Sequence, residues 1–359
     1  MTPLGRLLAR RIAAEGPLSI AEVMAQALAH EAHGYYQVQE PFGSAGDFIT
    51  APEISQMFGE VLGLWLGAVW QSMGSPARAI LGELGPGRGT LMADARRALA
   101  HVPGFPLAAP VHLVETSPRL RRIQAETIKA PVIHHDAIDS LPVDAPLLLL
   151  ANEFFDALPI RQAVFADGGF HERMVGLDGE DRLTFGLAPE ALAPGLLPPH
   201  EIAEAGAVLE WSPASIAIAA ELGRRLAAQG GVLLAIDYGA AHRGFADTLQ
   251  AVSRHRYADV LSTLGEADLT AHVNFAHLAA AATAQGATAF GPLTQGALLR
   301  GLGIDLRAQR LAAAHPEAAE RVLAAHRRLT ASDQMGSLFK ALALTGAATP
   351  PPPLFDAIR

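Results

Sequence analysis

The sequence predicts an α/β fold with a doubly wound, Rossmann-like sheet, and three observations carry that reading. Between Ile80 and Leu158 short apolar runs alternate with helical stretches, the βαβα rhythm of a parallel sheet. Of the four candidate strands, Ile80–Leu84, Val111–Val114 and Leu147–Ala151 are close to continuously apolar, as strands covered on both faces should be; Val132–His134 is the other. The first run then passes through Gly85-Pro86-Gly87-Arg88-Gly89 into a helical pattern over Thr90–Leu99. Strand, glycine turn and helix make up a nucleotide-binding βα unit.

The flanking elements follow in order. Residues 1–75 read as an N-terminal helical region, interrupted by a Gly-rich loop around Gly43 to Asp47. Its opening segment, Leu4 to Ile12, is basic and amphipathic like a transit peptide. Its apolar positions continue into a next helix, for which Ser19 and Glu22 form a capping box. The segment therefore reads as part of the fold, and the protein as cytoplasmic. Residues 76–160 hold the first part of the cofactor-binding domain. Over 161–210 the pattern changes: Gln162 to Leu187 alternates apolar and polar residues, with turns at Asp167-Gly168-Gly169 and Leu177-Asp178-Gly179. That reads as an insertion of β-hairpins, followed by a Pro- and Leu-rich loop from Ala193 to His200. Residues 211–345 supply a helix near Ser215 to Gln229, a buried strand from Gly231 to Asp237, and a mostly helical C-terminal region. Residues 346–359, with four consecutive prolines, read as a tail.

Bulk composition excludes several classes. A chain of 359 residues with 50% apolar and 18% charged residues is globular. Its formal charge of −9 argues against a nucleic-acid partner. The absence of cysteine excludes disulfides and thiolate metal sites. The longest apolar runs, such as Ala145 to Ala151, are too short for membrane insertion. His255 and His272 stand too far apart from other ligands to predict a metal site, and no Gly-x-Ser-x-Gly elbow occurs. The oligomeric state is left open.

The glycine turn departs from the dinucleotide fingerprint. Its third glycine comes one residue early, and Glu83 sits two residues before the first. Pro86 removes a backbone N–H from a loop that would need such donors for a pyrophosphate. A cofactor with an ammonium and no phosphates suits it better, and S-adenosyl-L-methionine is of that kind. An NAD-dependent oxidoreductase is correspondingly disfavoured. Ligands of such sheets bind beyond the carboxyl ends of the strands. The candidate cofactor residues are therefore Glu83, Gly85, Gly87 and Gly89, then Glu115 for the ribose hydroxyls, and Asp136 after His134 and His135. The fourth strand runs into Asn152-Glu153-Phe154-Phe155-Asp156, where two carboxylates and an amide are costly to place without a ligand. Asp237-Tyr238-Gly239 ends the fifth strand. Gly46 to Glu53 and Asp268 to Phe275 mix turn residues, aromatics and charge as binding loops do.

These segments resemble a known family. Tyr35-Tyr36, the run from Gly46 through Ser55, Glu83 through Leu91, Asn152 through Pro159, Ile236 through Gly239 and Asp268 through Val273 stand in an order similar to the MidA-type class I S-adenosylmethionine-dependent methyltransferases. That family includes the mitochondrial complex I assembly factor that is a protein arginine methyltransferase. The resemblance spans about Gly16 to Lys340. It implies a class I methyltransferase sheet and symmetric dimethylation of an arginine on the large NADH-dehydrogenase subunit near the quinone site. On this reading Glu153 and Asp156 hold the guanidinium and Asn152 orients it, while Asp47, Phe48, Glu53, Asp237, Tyr238 and His272 contact the substrate. An assembly chaperone that binds the methyl donor without turnover stays open, as does a methyltransferase of another protein or small-molecule nitrogen.

Overall fold

The computed structural model describes residues 1–38, 50–197, 202–241, 244–253 and 256–355. The chain forms two compact units, each assembled from three stretches: Met1–Phe48, Asp156–Ala217 and Ala240–His277 in one, Ile49–Phe155, Ile218–Gly239 and Leu278–Arg359 in the other.

The second unit holds the large sheet. Its strands are β1 (Ile80–Leu84), β2 (Val111–Val114), β3 (Val132–His135), β4 (Leu147–Asn152), β5 (Gly231–Ala240), β6 (Ala287–Thr294) and β7 (Phe339–Gly346). They lie side by side in the order β3-β2-β1-β4-β5-β7-β6. β1 pairs in parallel with β2 and β4, β2 with β3, and β4 with β5, whereas β7 runs antiparallel to both β5 and β6. Every residue of β1 and β4 is buried, which is why both read as nearly continuous apolar runs. Helices α1 (Gln56–Ser72), α2 (Thr90–Leu99) and α3 (Pro118–Ile128) belong to the same unit. A Cβ on Gly63 of α1 would lie 2.4 Å from the Ala95 carbonyl oxygen of α2, so only glycine lets these two helices approach so closely. Trp65, Leu66, Leu91, Leu113, Leu148 and Leu234 join helices and strands in one core.

In the first unit, the helix Pro3–Glu15 starts at Thr2, whose hydroxyl accepts the Gly5 N–H and donates to the Leu264 carbonyl. The helix Ile20–Ala29 carries the capping box of Ser19 and Glu22. Strands Arg161–Ala166 and Gly169–Leu177 form a hairpin whose two-residue turn, Asp167-Gly168, has both φ positive (49° and 83°), the primed turn that Asp-Gly favours. Strands Leu183–Ala191, Val208–Trp211 and Leu18–Ser19 complete that antiparallel sheet, and Gln250–Ser253 pairs with Arg256–Ala258 and Asp268–Thr270 in a smaller one. Leu4, Leu8, Met24, Tyr35, Val175 and Leu269 lie in the unit's main core.

Two sequence expectations are corrected here. The C-terminal region is not mostly helical, since β6 and β7 complete the large sheet. β7 reads Phe-Lys-Ala-Leu-Ala-Leu-Thr-Gly and is buried on both faces, so it lacks the alternation that separates strand from helix. The proline-rich segment is no loose tail either. Trp65 donates its indole N–H to the Pro353 carbonyl at 3.1 Å, and the buried Phe355 ring meets Trp65 edge-on at 5.9 Å.

Candidate active site

In the second unit the strand order reverses between β1 and β4. At such a switch point the chains leaving two neighbouring parallel strands diverge and open a crevice beyond their carboxyl ends. Leu84 and Ala151 are register partners there. The glycine turn therefore follows one wall of the crevice and Asn152-Glu153 follows the other.

On the β1 side, Gly85, Gly87 and Gly89 all adopt left-handed backbone, with φ of 59°, 52° and 83°. Gly85 donates its N–H to the Val114 carbonyl, and Gly89 closes the turn onto the Pro86 carbonyl. A Cβ on Gly85 would meet the Phe154 ring at 2.8 Å. Both backbone and space thus require glycine there. Glu83 is buried, with 3% of its surface exposed. The Met92 N–H bonds its carboxylate, while Oε2 has no partner. Desolvation outweighs that bond and pushes the carboxyl up to about 8.

Glu115 ends β2 with its carboxylate held from two directions. Ser117 N–H donates to Oε1 at 2.8 Å and the Gln124 amide to Oε2 at 3.1 Å. Burial raises its carboxyl above the usual range despite these bonds. The same Gln124 amide donates to the Gly87 carbonyl, and its oxygen faces His134 Nε2 at 2.9 Å. Arg121 donates to the Glu115 carbonyl and pairs with Asp136 at 2.5 Å, leaving Asp136 mostly exposed. Sequence reasoning missed Gln124. It is fully buried on α3, and nothing in a helical pattern distinguishes a core glutamine from a surface one.

Past β4, Glu153 sits at φ 49°, a left-handed conformation that costs a non-glycine residue energy. The Glu153 N–H donates to the Ile236 carbonyl, and its Oε1 accepts from the Ala51 N–H and the Asn152 amide, each at 3.1 Å. Asn152 is buried, and its Oδ1 has no hydrogen-bond partner. Asp237, 1% exposed, accepts the Phe155 N–H at 3.0 Å and the Tyr238 N–H at 2.9 Å. It therefore pins the Asn152–Phe155 turn against β5. Tyr238 buries its ring edge-on against Phe339. Glu53 accepts from the Thr90 hydroxyl at 2.5 Å. The short helix Ala51–Ile54 thus touches the turn after β4 through Ala51 and the start of α2 through Glu53.

The remaining candidates belong to the first unit or lie outside the described residues. Asp156 is buried in the first unit, where its carbonyl accepts the Ala271 N–H. There Tyr36 directs its hydroxyl to both oxygens of Asp268 at 3.2 Å. Burial first, then the charges of Asp268 and Asp156, drive that phenol well above its ordinary value. His272 is exposed and donates its N–H to the Thr248 hydroxyl. Asp47, Phe48 and His255 lie outside the described residues. Among the described residues no group of three or more His, Cys, Asp or Glu could hold a metal, and no helix is long and apolar enough to cross a membrane.

The second unit thus gathers Glu53, Glu83, Glu115, Asn152, Glu153 and the glycine turn at one edge of its sheet. A cofactor with an ammonium, two ribose hydroxyls and a sulfonium fits these groups. Glu83 offers a buried carboxylate oxygen with no partner, Glu115 a positioned carboxylate, and Gly85 a backbone without a side chain of its own, against which the Phe154 ring lies. The sheet order and the antiparallel β7 are those of the class I methyltransferases, and the dinucleotide-binding order lacks that inserted strand.

Comparison with known proteins agrees. Residues 61–293 match the family model of an S-adenosyl-L-methionine-dependent methyltransferase. The chain is 38% identical to the Mus musculus protein arginine methyltransferase NDUFAF7, mitochondrial, over 96% of its own length and 84% of the relative's. It is 36% identical to the Homo sapiens protein of that name, with 96% and 83% covered. A crystal structure of a Burkholderia thailandensis protein bound to S-adenosyl-homocysteine superposes with a TM-score of 0.86 at 28% identity, covering 97% of this chain and 92% of that one. The chain belongs to the S-adenosyl-L-methionine-dependent methyltransferase family, and S-adenosyl-L-methionine is its cofactor. The expected cytoplasmic placement is overturned, because these curated relatives are mitochondrial proteins. The basic amphipathic start packs Leu4, Leu8 and Ile12 into a core, and packing does not report a compartment.

Proposed function

We propose that this enzyme methylates an arginine side chain of a protein, to the symmetric dimethyl form, on the large NADH-dehydrogenase subunit near the quinone site, in support of respiratory complex I assembly. The observation that carries the chemistry is the carboxylate of Glu153, oriented by the Ala51 N–H and the Asn152 amide, one strand away from the glycine turn. The names of the curated relatives support arginine as the acceptor.

A guanidinium is protonated and a poor nucleophile, and its planar fork matches a carboxylate. Glu153 binds that fork and concentrates the lone pair on the attacking nitrogen. Asn152, with its buried carbonyl oxygen unpartnered, accepts a second N–H and sets the tilt of the plane. Glu83 holds the cofactor's ammonium, Glu115 its ribose hydroxyls, and Asp136 sits beyond Glu115 at the end of β3. When bound, the cofactor supplies an electrophilic methyl on a sulfonium. Fixing the two reactants in line is worth about 7–11 kcal/mol in favourable cases. The proton released by the guanidinium passes to the Glu153 carboxylate or to water.

The test is transfer of isotopically labelled methyl to the isolated subunit, read by mass spectrometry, for the wild-type enzyme and Glu153→Gln. Label on arginine is expected, with kcat reduced on the order of 10²–10³ in the variant and S-adenosyl-homocysteine affinity nearly unchanged. Label on another nitrogen would move the acceptor. Affinity lost with kcat retained would reverse the role given to Glu153.

A further inference from the structure

The motif after β4 contains a half-buried aromatic side chain, Phe154, to which the chemistry above gives no part. Phe154 stands between Asn152-Glu153 and the buried Phe155, and it is only half-buried in a turn otherwise anchored at both ends. Its placement is over-determined. The left-handed backbone of Glu153 sets the direction of the chain, the Phe155 N–H is pinned by Asp237, and the two phenyl rings meet edge-on with centroids 5.1 Å apart at 77°. The Phe154 ring lies against Gly85, occupying the volume a Cβ would need there, with Cδ2 at 2.8 Å and Cγ and Cε2 at 3.6 Å from that position.

The sheet orders what passes over this ring. With the ribose at Glu115 beyond β2, the adenosine extends toward β2 and β3. The sulfonium and its methyl then lie over β1 and β4, on the side of Glu153, where the acceptor must approach. Gly85 and Phe154 belong to that side. An aromatic face attracts a cation within about 6 Å of its centroid, most strongly where water is excluded. A neutral thioether gains no such attraction.

We propose that Phe154 recognises the positive charge of the cofactor's sulfonium, so that the site holds the methyl donor more tightly than the demethylated product. This rests on the cofactor reading of the glycine turn. It gives the ring two consequences, preference for the reactive species and easier departure of the product once the charge has gone.

The measurement is calorimetric affinity for S-adenosyl-L-methionine and for S-adenosyl-homocysteine on the full chain, for wild type, Phe154→Leu and Phe154→Tyr. Phe154→Leu is expected to weaken the donor about tenfold while shifting the product less than about twofold, and Phe154→Tyr to restore the wild-type ratio. Equal weakening of both ligands would reduce the ring to a packing element and overturn the proposal, as would no weakening of either. If Phe154→Leu fails to fold, Phe154→Met fills similar volume without an aromatic face, and the same ratio decides. A wild-type protein that binds neither ligand would bring down the cofactor reading itself, an outcome distinct from an unchanged ratio.

Discussion

At the residue scale, charge burial dominates the site. Glu83 titrates near 8 in the folded protein because nothing cationic offsets its desolvation, whereas an unfolded glutamate titrates near 4.3. Between those values the folded state holds a proton that the unfolded state has lost, so stability must fall as pH rises through that window. Relative to Glu83→Gln, the ligand-free wild-type enzyme should therefore lose melting temperature from pH 5 to pH 8. A difference between the two that stays constant over that range would contradict the assignment, since His112, His134, His135 and His272, held below the usual imidazole value by burial, act alike in both. The position of Glu83, the three glycines, Glu115 and Asn152-Glu153 at the carboxyl ends of strands was legible in the sequence, because each ends or follows an apolar run. The sequence places Asp237 at the ligand edge as a substrate contact; the structure adds that it accepts two backbone N–H groups, which nothing in the strand pattern foretells. Strand position alone does not say whether a carboxylate faces the ligand or turns back to hold a neighbouring loop.

At the scale of elements, the glycine turn and the turn after β4 form one device. Gly85→Val would force a β-branched side chain into left-handed backbone at a cost of about 1–3 kcal/mol and drive its Cβ into Phe154. Loss of saturable S-adenosyl-homocysteine binding is expected, checked by calorimetry beside a thermal melt. Binding retained at wild-type affinity would show that the two turns are not coupled. The central parallel strands and the Asp-Gly hairpin were readable because their patterns have physical causes in double-sided burial and positive φ. β6 and β7 were missed for a related reason. An alanine- and leucine-rich segment such as β7 suits a helix by propensity, and pairing with β6 and with β5 is what makes it a strand. That information lies earlier in the chain.

At the scale of the whole molecule, both units draw on all three parts of the chain, so neither can be excised as one contiguous fragment. The strand β7 shows what this entails. It fills the slot between β5 and β6, although both neighbours precede it in sequence. A polypeptide ending at residue 338 carries every described residue assigned to cofactor or acceptor. It should nevertheless accumulate as insoluble protein and bind no S-adenosyl-homocysteine, because β5 would present a bare hydrogen-bonding edge. Soluble, ligand-competent material from that truncation would refute the argument. On a translating ribosome the same geometry becomes a matter of timing. The methyl-donor crevice can be spelled out in full while the sheet beneath it still has a gap beside its edge strand. For that interval β5 and β6 are unprotected templates for strands of other chains, until Phe339–Gly346 emerges and closes the seam.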